Sequence, residues 1–323
     1  LAVSEDEAGQ LRTQLSGRSP AGAPRGRSRR SPAGRRAVAA AGWLFVLPAL
    51  AFYGVFVLRP IGLTLQYSLY DWNGIGLARF VGADNYVRIV TDQRLLGPIL
   101  HAFELIIFFS AVPVVLGLLV ANTIRGIATS RLAGVARTVV FMPQVIPLVA
   151  AGIMWSWLLS STGLVNQLLR AVGLGSLTRA WLGDFTTALP AVGLIGAWVL
   201  LGLCTVLLLA GMGKIDAALY EAARLDGAGP VQEFFAVTLP GLRQEIAVCV
   251  TVTVIAALSS FDIVYISTQG GPGGATSVPG LQIFSLAFSQ REVGLASALA
   301  MTLMVLVVLV VLPVQWFTRR GEQ

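Results

Sequence analysis

Apolar residues in this chain do not alternate with polar ones at a strand or surface-helix period. They run together in long blocks at roughly 38–58, 98–122, 137–159, 187–211, 244–267 and 294–317, with short polar segments between. About 20 apolar residues is the length a helix needs to cross a hydrocarbon layer. Lipid also demands helices, because each backbone N–H and C=O must find its partner inside the segment. The expected fold is all-α, a polytopic membrane protein with six transmembrane helices.

Composition agrees with the pattern. Of 323 residues, 55% are hydrophobic and 12% charged, and mean hydropathy is +0.76. That leaves too little polar residue to cover a soluble globule. Charge then sets orientation. The first 36 residues hold eight arginines, and Arg125, Arg131, Arg137, Lys214, Arg224, Arg243, Arg319 and Arg320 bring that side to 16, against seven on the other. The positive-inside rule places both termini and the segment between the fourth and fifth blocks in the cytoplasm.

Residues 1–36 form a low-complexity run of Arg, Ser, Pro, Gly and Ala, expected to be disordered. Its arginines could meet anionic membrane lipid or nucleic acid. No aromatic residue interleaves with them, so a topology-fixing cluster is the preferred reading and no nucleic acid partner is expected. Ala49-Leu50-Ala51 has the form of an export-signal cleavage site, but the apolar run continues to Leu58, which favours an uncleaved span. The resulting division is a tail over 1–36, a six-span membrane domain over 37–318 and a short cytoplasmic tail over 319–323.

Catalytic chemistry finds little to work with. Cys204 and Cys249 lie within apolar blocks and belong to no CxxC or Cys/His cluster, and His101 is the sole histidine. No metal site or cofactor is expected. The single lysine, Lys214, follows Gly213 but lacks the rest of a phosphate loop, so ATP chemistry would have to reside on another chain. The chain reads as a non-enzyme. Two acids lie within the apolar blocks, Glu104 and Asp262. An acid at the middle of a lipid-facing helix costs about 2.5–3.5 kcal/mol on insertion scales, so each should face a cavity, a neighbour or the interface. His101, three residues before Glu104 on one helix face, is its expected partner. Asp262 and Tyr265, one turn apart, are candidates for a translocation path, with a packing or loop-orienting role the alternative for Asp262.

The polar segment at about 213–243 carries the most information. Asp216 can cap a helix start, Gly227 falls where a left-handed residue would end that helix, and Pro230 opens a second short helix after Gly229. Ala222, Ala223 and Ala228 leave little side chain on its surface. Glu221 and Asp226 are available to basic groups on a partner. The run EAARLDGAGPVQEFFAVTLP, over residues 221–240, resembles the EAA loop of inner-membrane permeases of binding-protein-dependent ABC importers. The resemblance implies that Glu221, Ala222, Ala223, Asp226, Gly227, Ala228, Leu239 and Pro240 belong to a coupling helix docking on an ATPase.

Weaker motifs in order along the chain are similar to the carbohydrate-uptake permeases of maltose and glycerol-3-phosphate type. They are Ser68–Asn73, Phe80–Tyr86, Phe141-Met142-Pro143, Gly163–Asn166, Trp181-Leu182-Gly183 and Phe261-Asp262 followed by Thr268–Pro272. The resemblance implies a sugar or polyol phosphate as cargo and four kinds of partner contact: a second permease of the same type, an ATP-binding subunit dimer, an extracytoplasmic solute-binding lipoprotein and membrane lipid. It also implies the bacterial inner membrane as location. Asp71, Trp72, Asn73, Trp181 and Tyr265 could touch sugar, although interfacial anchoring is the commoner role of such aromatics. The alternative of another class is an ion-coupled secondary transporter acting without an ATPase. Few intramembrane acids and a cytoplasmic hairpin it would not need speak against it.

Overall fold

The computed structural model of the chain describes Trp43, residues 45–127 and residues 130–320. The expected tail over 1–36 lies outside the described residues, as does the end of the chain beyond Arg320. By contact the chain divides into two units, residues 1–60 and 61–323.

Among the described residues four helices are long and apolar enough to cross a membrane: α1 (Phe45–Tyr67), α3 (Gln93–Gly126), α7 (Ala188–Met212) and α13 (Val293–Arg320, apolar to Trp316). Two bent pairs would bring the number of spans to six. These are α4 (Arg131–Val145) with α5 (Leu148–Leu158), bent by 99°, and α9 (Pro230–Gly241) with α10 (Arg243–Leu258), bent by 70°. Shorter helices fill the connections: α2 (Asp84–Thr91), α6 (Leu164–Ala171), α8 (Ala217–Leu225), α11 (Asp262–Ser267) and α12 (Pro279–Phe284). The one sheet among the described residues is a two-stranded hairpin, β1 (Tyr70–Asp71) against antiparallel β2 (Arg79–Phe80).

Several boundaries correct the sequence reading. The first span, expected over 38–58, runs Phe45–Tyr67 and carries Arg59 inside the helix rather than in an outer loop. The third, expected straight over 137–159, breaks at Ile146-Pro147. A proline disfavours the helical conformation in the residue before it, and Ile146 is extended at φ −73°, ψ 127°. The fifth, expected to continue to 267, stops at Leu258, and Asp262 begins the separate helix α11.

Proline also explains a recurrent local feature. Of the four single π turns among the described residues, Gly54–Leu58, Ile107–Ala111 and Phe234–Thr238 each end two residues before a proline (Pro60, Pro113 and Pro240), while Ser285–Ser289 has no proline two residues after it. A proline inside a helix has no N–H to donate and its ring crowds the carbonyl four residues back. Widening the preceding turn moves that carbonyl aside and lets the helix continue.

The centre of unit 61–323 is α7, which packs along α3 and α4. Small residues make the approach possible. A Cβ on Gly202 would stand 2.5 Å from the Val140 carbonyl oxygen of α4, and one on Gly196 would overlap the Phe109 ring of α3. Close helix contacts through small residues are how membrane helices gain packing when lipid offers no hydrophobic contrast. Buried Phe109, Val192, Ile195, Ile263 and Val264 form the core on one side of α7, and Leu208, Met212, Leu242 and Cys249 on the other.

Candidate functional site

The α8–α9 hairpin is defined at each end by local chemistry. The Asp216 carboxylate accepts from the Ala218 N–H at 2.9 Å, satisfying a free donor at the start of α8. At the other end the Gly227 N–H donates to the Arg224 carbonyl at 3.0 Å and the Ala228 N–H to the Ala223 carbonyl at 2.9 Å. This paired arrangement is a Schellman motif, and it needs a left-handed residue at its turn. Gly227 supplies it with φ +84°. No atom lies within 4 Å of where a Gly227 side chain would begin, so the glycine is required by backbone conformation, not by crowding. Pro230 then opens α9, with the Gln232 side-chain oxygen accepting from the Gly229 N–H at 3.0 Å.

A carboxylate that the sequence reading passed over holds this hairpin in place. Glu233 accepts from Arg224 Nε at 2.9 Å and from Arg125 Nη2 at 3.0 Å, joining α9 to both α8 and the end of α3. The Arg125 guanidinium also sits 3.8 Å from the centre of the Tyr220 ring, and the Tyr220 hydroxyl lies 3.2 Å from Thr238 Oγ1. The hydrogen bond from Arg224, with the charges of Arg224 and Arg125 behind it, holds the Glu233 carboxyl below the usual carboxylate range against its partial desolvation. Arg224 is correspondingly raised by the Glu233 hydrogen bond and charge. Opposite charges flanking the Asp-Gly turn could have pointed to the Arg224–Glu233 pair. Nothing local could have pointed to Arg125, 108 residues away in sequence.

The structure gathers the candidate residues of 221–228 on one rim of the hairpin. Glu221, Ala222, Asp226 and Gly227 are exposed, while Ala223 and Ala228 are half-buried. Leu239 is half-buried and Pro240 exposed at the far end of α9. Beside the rim stand uncovered apolar groups, Leu219, Val231, Phe235 and Leu225, the last 89% exposed.

Asp262 and Tyr265 share α11 but line different cavities. Asp262, exposed, borders one of 210 Å³ with Phe109, Gly196, Ser259 and Ser260, and the buried Ser260 hydroxyl has no hydrogen-bond partner among the described residues. Tyr265 borders one of 470 Å³ with Gln269, Gln282, Phe284, Ser285 and the glycine-rich loop at 270–274. Phe261 separates the two, its ring stacked 5.1 Å from Tyr265. Tyr265, Phe284 and Phe288 continue the aromatic row at centroid spacings of 5.6 and 5.1 Å. The glycine loop is fixed by Thr276, whose hydroxyl donates to the Gly271 carbonyl at 2.8 Å, and by His101 Nδ1, 2.8 Å from the Ser277 carbonyl oxygen. His101 therefore serves this loop, and no ion pair with Glu104 occurs among the described residues, contrary to the sequence expectation.

Several of the loop residues weighed between sugar contact and interfacial anchoring are occupied locally. Asp71 pairs with Arg79 at 2.9 Å, Trp72 Nε1 donates to the Gly76 carbonyl at 2.9 Å, and Asn73 Oδ1 accepts from the N–H groups of Ile75 and Gly76. Trp181 Nε1 donates to Asn166 Oδ1, whose amide in turn reaches the carbonyls of Ser160, Ser161 and Arg179. These groups close loops.

Comparison with known proteins extends the picture. Residues 113–321 match the family described as binding-protein-dependent transport system inner membrane component. The trehalose/maltose transport system permease protein MalF of Thermococcus litoralis is 33% identical over 82% of this chain and 89% of its own length. The diacetylchitobiose uptake system permease protein NgcF of Streptomyces coelicolor is 32% identical over 79% of this chain and 75% of its own. The fold resembles a chain of a bacterial ABC transporter involved in the import of the acidic polysaccharide alginate, with TM-score 0.74, 23% identity and coverage of 90% and 97% of the two chains.

Proposed function

Because this chain belongs to the family of binding-protein-dependent transport system inner membrane components, we propose that it carries a sugar, or a related polyol phosphate, across the bacterial inner membrane. Membership makes it the permease component of an ABC importer, a transport part and not an enzyme, and leaves the ion-coupled secondary transporter without support. Cargo reaches it from a binding protein. A second permease and a dimer of ATP-binding subunits complete the assembly. The cargo assignment draws on relatives whose names specify trehalose/maltose and diacetylchitobiose.

The observation that carries the mechanical reading is the α8–α9 hairpin, an exposed rim stiffened by a Schellman turn and tied to α3 through Glu233 and Arg125. Such a unit moves as one body. Glu221, Ala222, Ala223, Asp226, Gly227 and Ala228 meet the ATP-binding subunit, with Leu239 and Pro240 setting the angle of α9. ATP-driven closure of the ATPase dimer shifts the hairpin, and the spans follow because the two conformations bind the partners differently. Both termini and the hairpin lie in the cytoplasm, as the arginine distribution supports.

For the cargo route, Tyr265 presents an aromatic face beside the amides of Gln269 and Gln282 and the hydroxyl of Ser285, the mixture a sugar ring needs. Asp262 lies on the neighbouring cavity past Phe261. The test is cross-linking of an Ala222→Cys variant in the assembled transporter. A link to the ATP-binding subunit whose yield changes on ATP binding is expected, and absence of any link in an active complex would remove the hairpin from the coupling contact.

A further inference from the structure

A cavity of 450 Å³ opens where the ends of α3 and α7 meet the middle of α4. Its walls are of two kinds. Val206, Leu209, Ala210 and Met212 of α7 form an apolar side, and two guanidinium groups, Arg125 and Arg137, form the other. Arg125 is only partly neutralised. Its Nη2 reaches Glu233, but its Nη1 is buried without a hydrogen-bond partner among the described residues. Arg137 makes no ion pair among the described residues. Glu233 is also shared with Arg224, so one carboxylate serves two arginines and Arg125 has only part of that carboxylate's charge.

The guanidinium groups of Arg125 and Arg137 both border the cavity, and an anionic oxygen held between them would be bound by charge-assisted hydrogen bonds. The cavity lies where two spans end, which the proposed orientation puts at the level of the cytoplasmic headgroups, and Val206 and Ala210 on its apolar wall are exposed on α7. We infer that this cavity binds the phosphate of an anionic phospholipid, with Arg125 and Arg137 on the phosphate oxygens and the acyl chains along α7. Basic pockets between spans on the cytoplasmic side are suited to such headgroups. Because Arg125 also holds Tyr220 and Glu233, a bound phosphate braces the hairpin's attachment to α3. The inference rests on the proposed orientation for its choice of leaflet, and on the arginine geometry alone for its choice of ligand.

The experiment is native mass spectrometry of the purified full-length chain, exchanged from detergent into nanodiscs of phosphatidylglycerol, of phosphatidylcholine, or of their mixture. The wild type should retain phosphatidylglycerol in preference to phosphatidylcholine, and Arg137→Gln should cut that retention about fivefold. Photoactivatable phosphatidylglycerol should attach within residues 206–213 in the wild type and not in Arg137→Gln. Equal retention of the two lipids, or unchanged retention and attachment in Arg137→Gln, would overturn the inference. Displacement of the lipid by millimolar inorganic phosphate would assign the site to free phosphate and overturn it equally. Side-specific labelling of Leu225→Cys with a membrane-impermeant maleimide reads orientation separately, so a wrong leaflet and a wrong ligand give different results.

Discussion

Gly227 and Glu233 show how single residues fix a docking surface. With φ at +84°, a β-branched side chain at 227 would be strained even though space is open around it. Gly227→Val should leave membrane abundance normal while weakening co-purification with the ATP-binding subunit and abolishing cargo-stimulated ATP hydrolysis. A variant that couples at the wild-type rate would show that the turn is not mechanically needed. Glu233→Gln removes one charge that serves two arginines, and since Arg224 is largely exposed the loss should be modest, about 1–2 kcal/mol. It is checked by the melting temperature of the detergent-purified chain. Because the folded carboxyl is held below its ordinary range, its contribution is present above that range and lost as pH falls through the depressed value. Protection factors over residues 217–241, corrected for the intrinsic pH dependence of exchange, should therefore fall in the wild type as pH drops below the ordinary carboxylate range, and less so in Glu233→Gln. Tyr265→Ala should lower uptake without lowering abundance, and wild-type transport by that variant would remove Tyr265 from the route.

At the scale of elements, helix shape follows where proline falls. Pro240 ends the motif run and sits just after the π turn Phe234–Thr238, so the angle of α9 depends on that widened turn. Pro240→Ala should let the turn close to ordinary α geometry and rotate the hairpin. Spin labels at Leu225→Cys and Thr123→Cys should then report a changed distance distribution, and an unchanged one would mean that packing, not proline, widens the turn. Helix packing gives a contrasting case. Gly202→Leu would drive a side chain into the α4 backbone at Val140, costing at least about 1–3 kcal/mol as overpacking does. Lower melting temperature is expected there, without any selective loss of coupling.

For the whole molecule, the arginine distribution and the lack of a phosphate loop make predictions that need no side-chain detail. Leu225→Cys should label from the cytoplasmic side and Ile75→Cys from the outside. Cytoplasmic labelling at both sites would break the topology. The purified chain alone should not hydrolyse ATP.

The sequence by itself settled the number and approximate place of the apolar blocks, because hydrocarbon thickness imposes one length on every crossing. It also located the hairpin, since capping acids, a left-handed glycine and a starting proline act within a few residues of themselves. Asp216, Gly227 and Pro230 do what local chemistry dictates. Tertiary structure decided whatever joins distant residues. The 99° break at Pro147 depends on packing as well as on proline, and Pro98, Pro113 and Pro313 sit inside helices that continue. The division of Asp262 and Tyr265 between two cavities depends on Phe261 standing between them. The triad of Arg125, Arg224 and Glu233 exists because α3 ends beside α9, and charge pairing across 108 residues leaves no trace in local pattern.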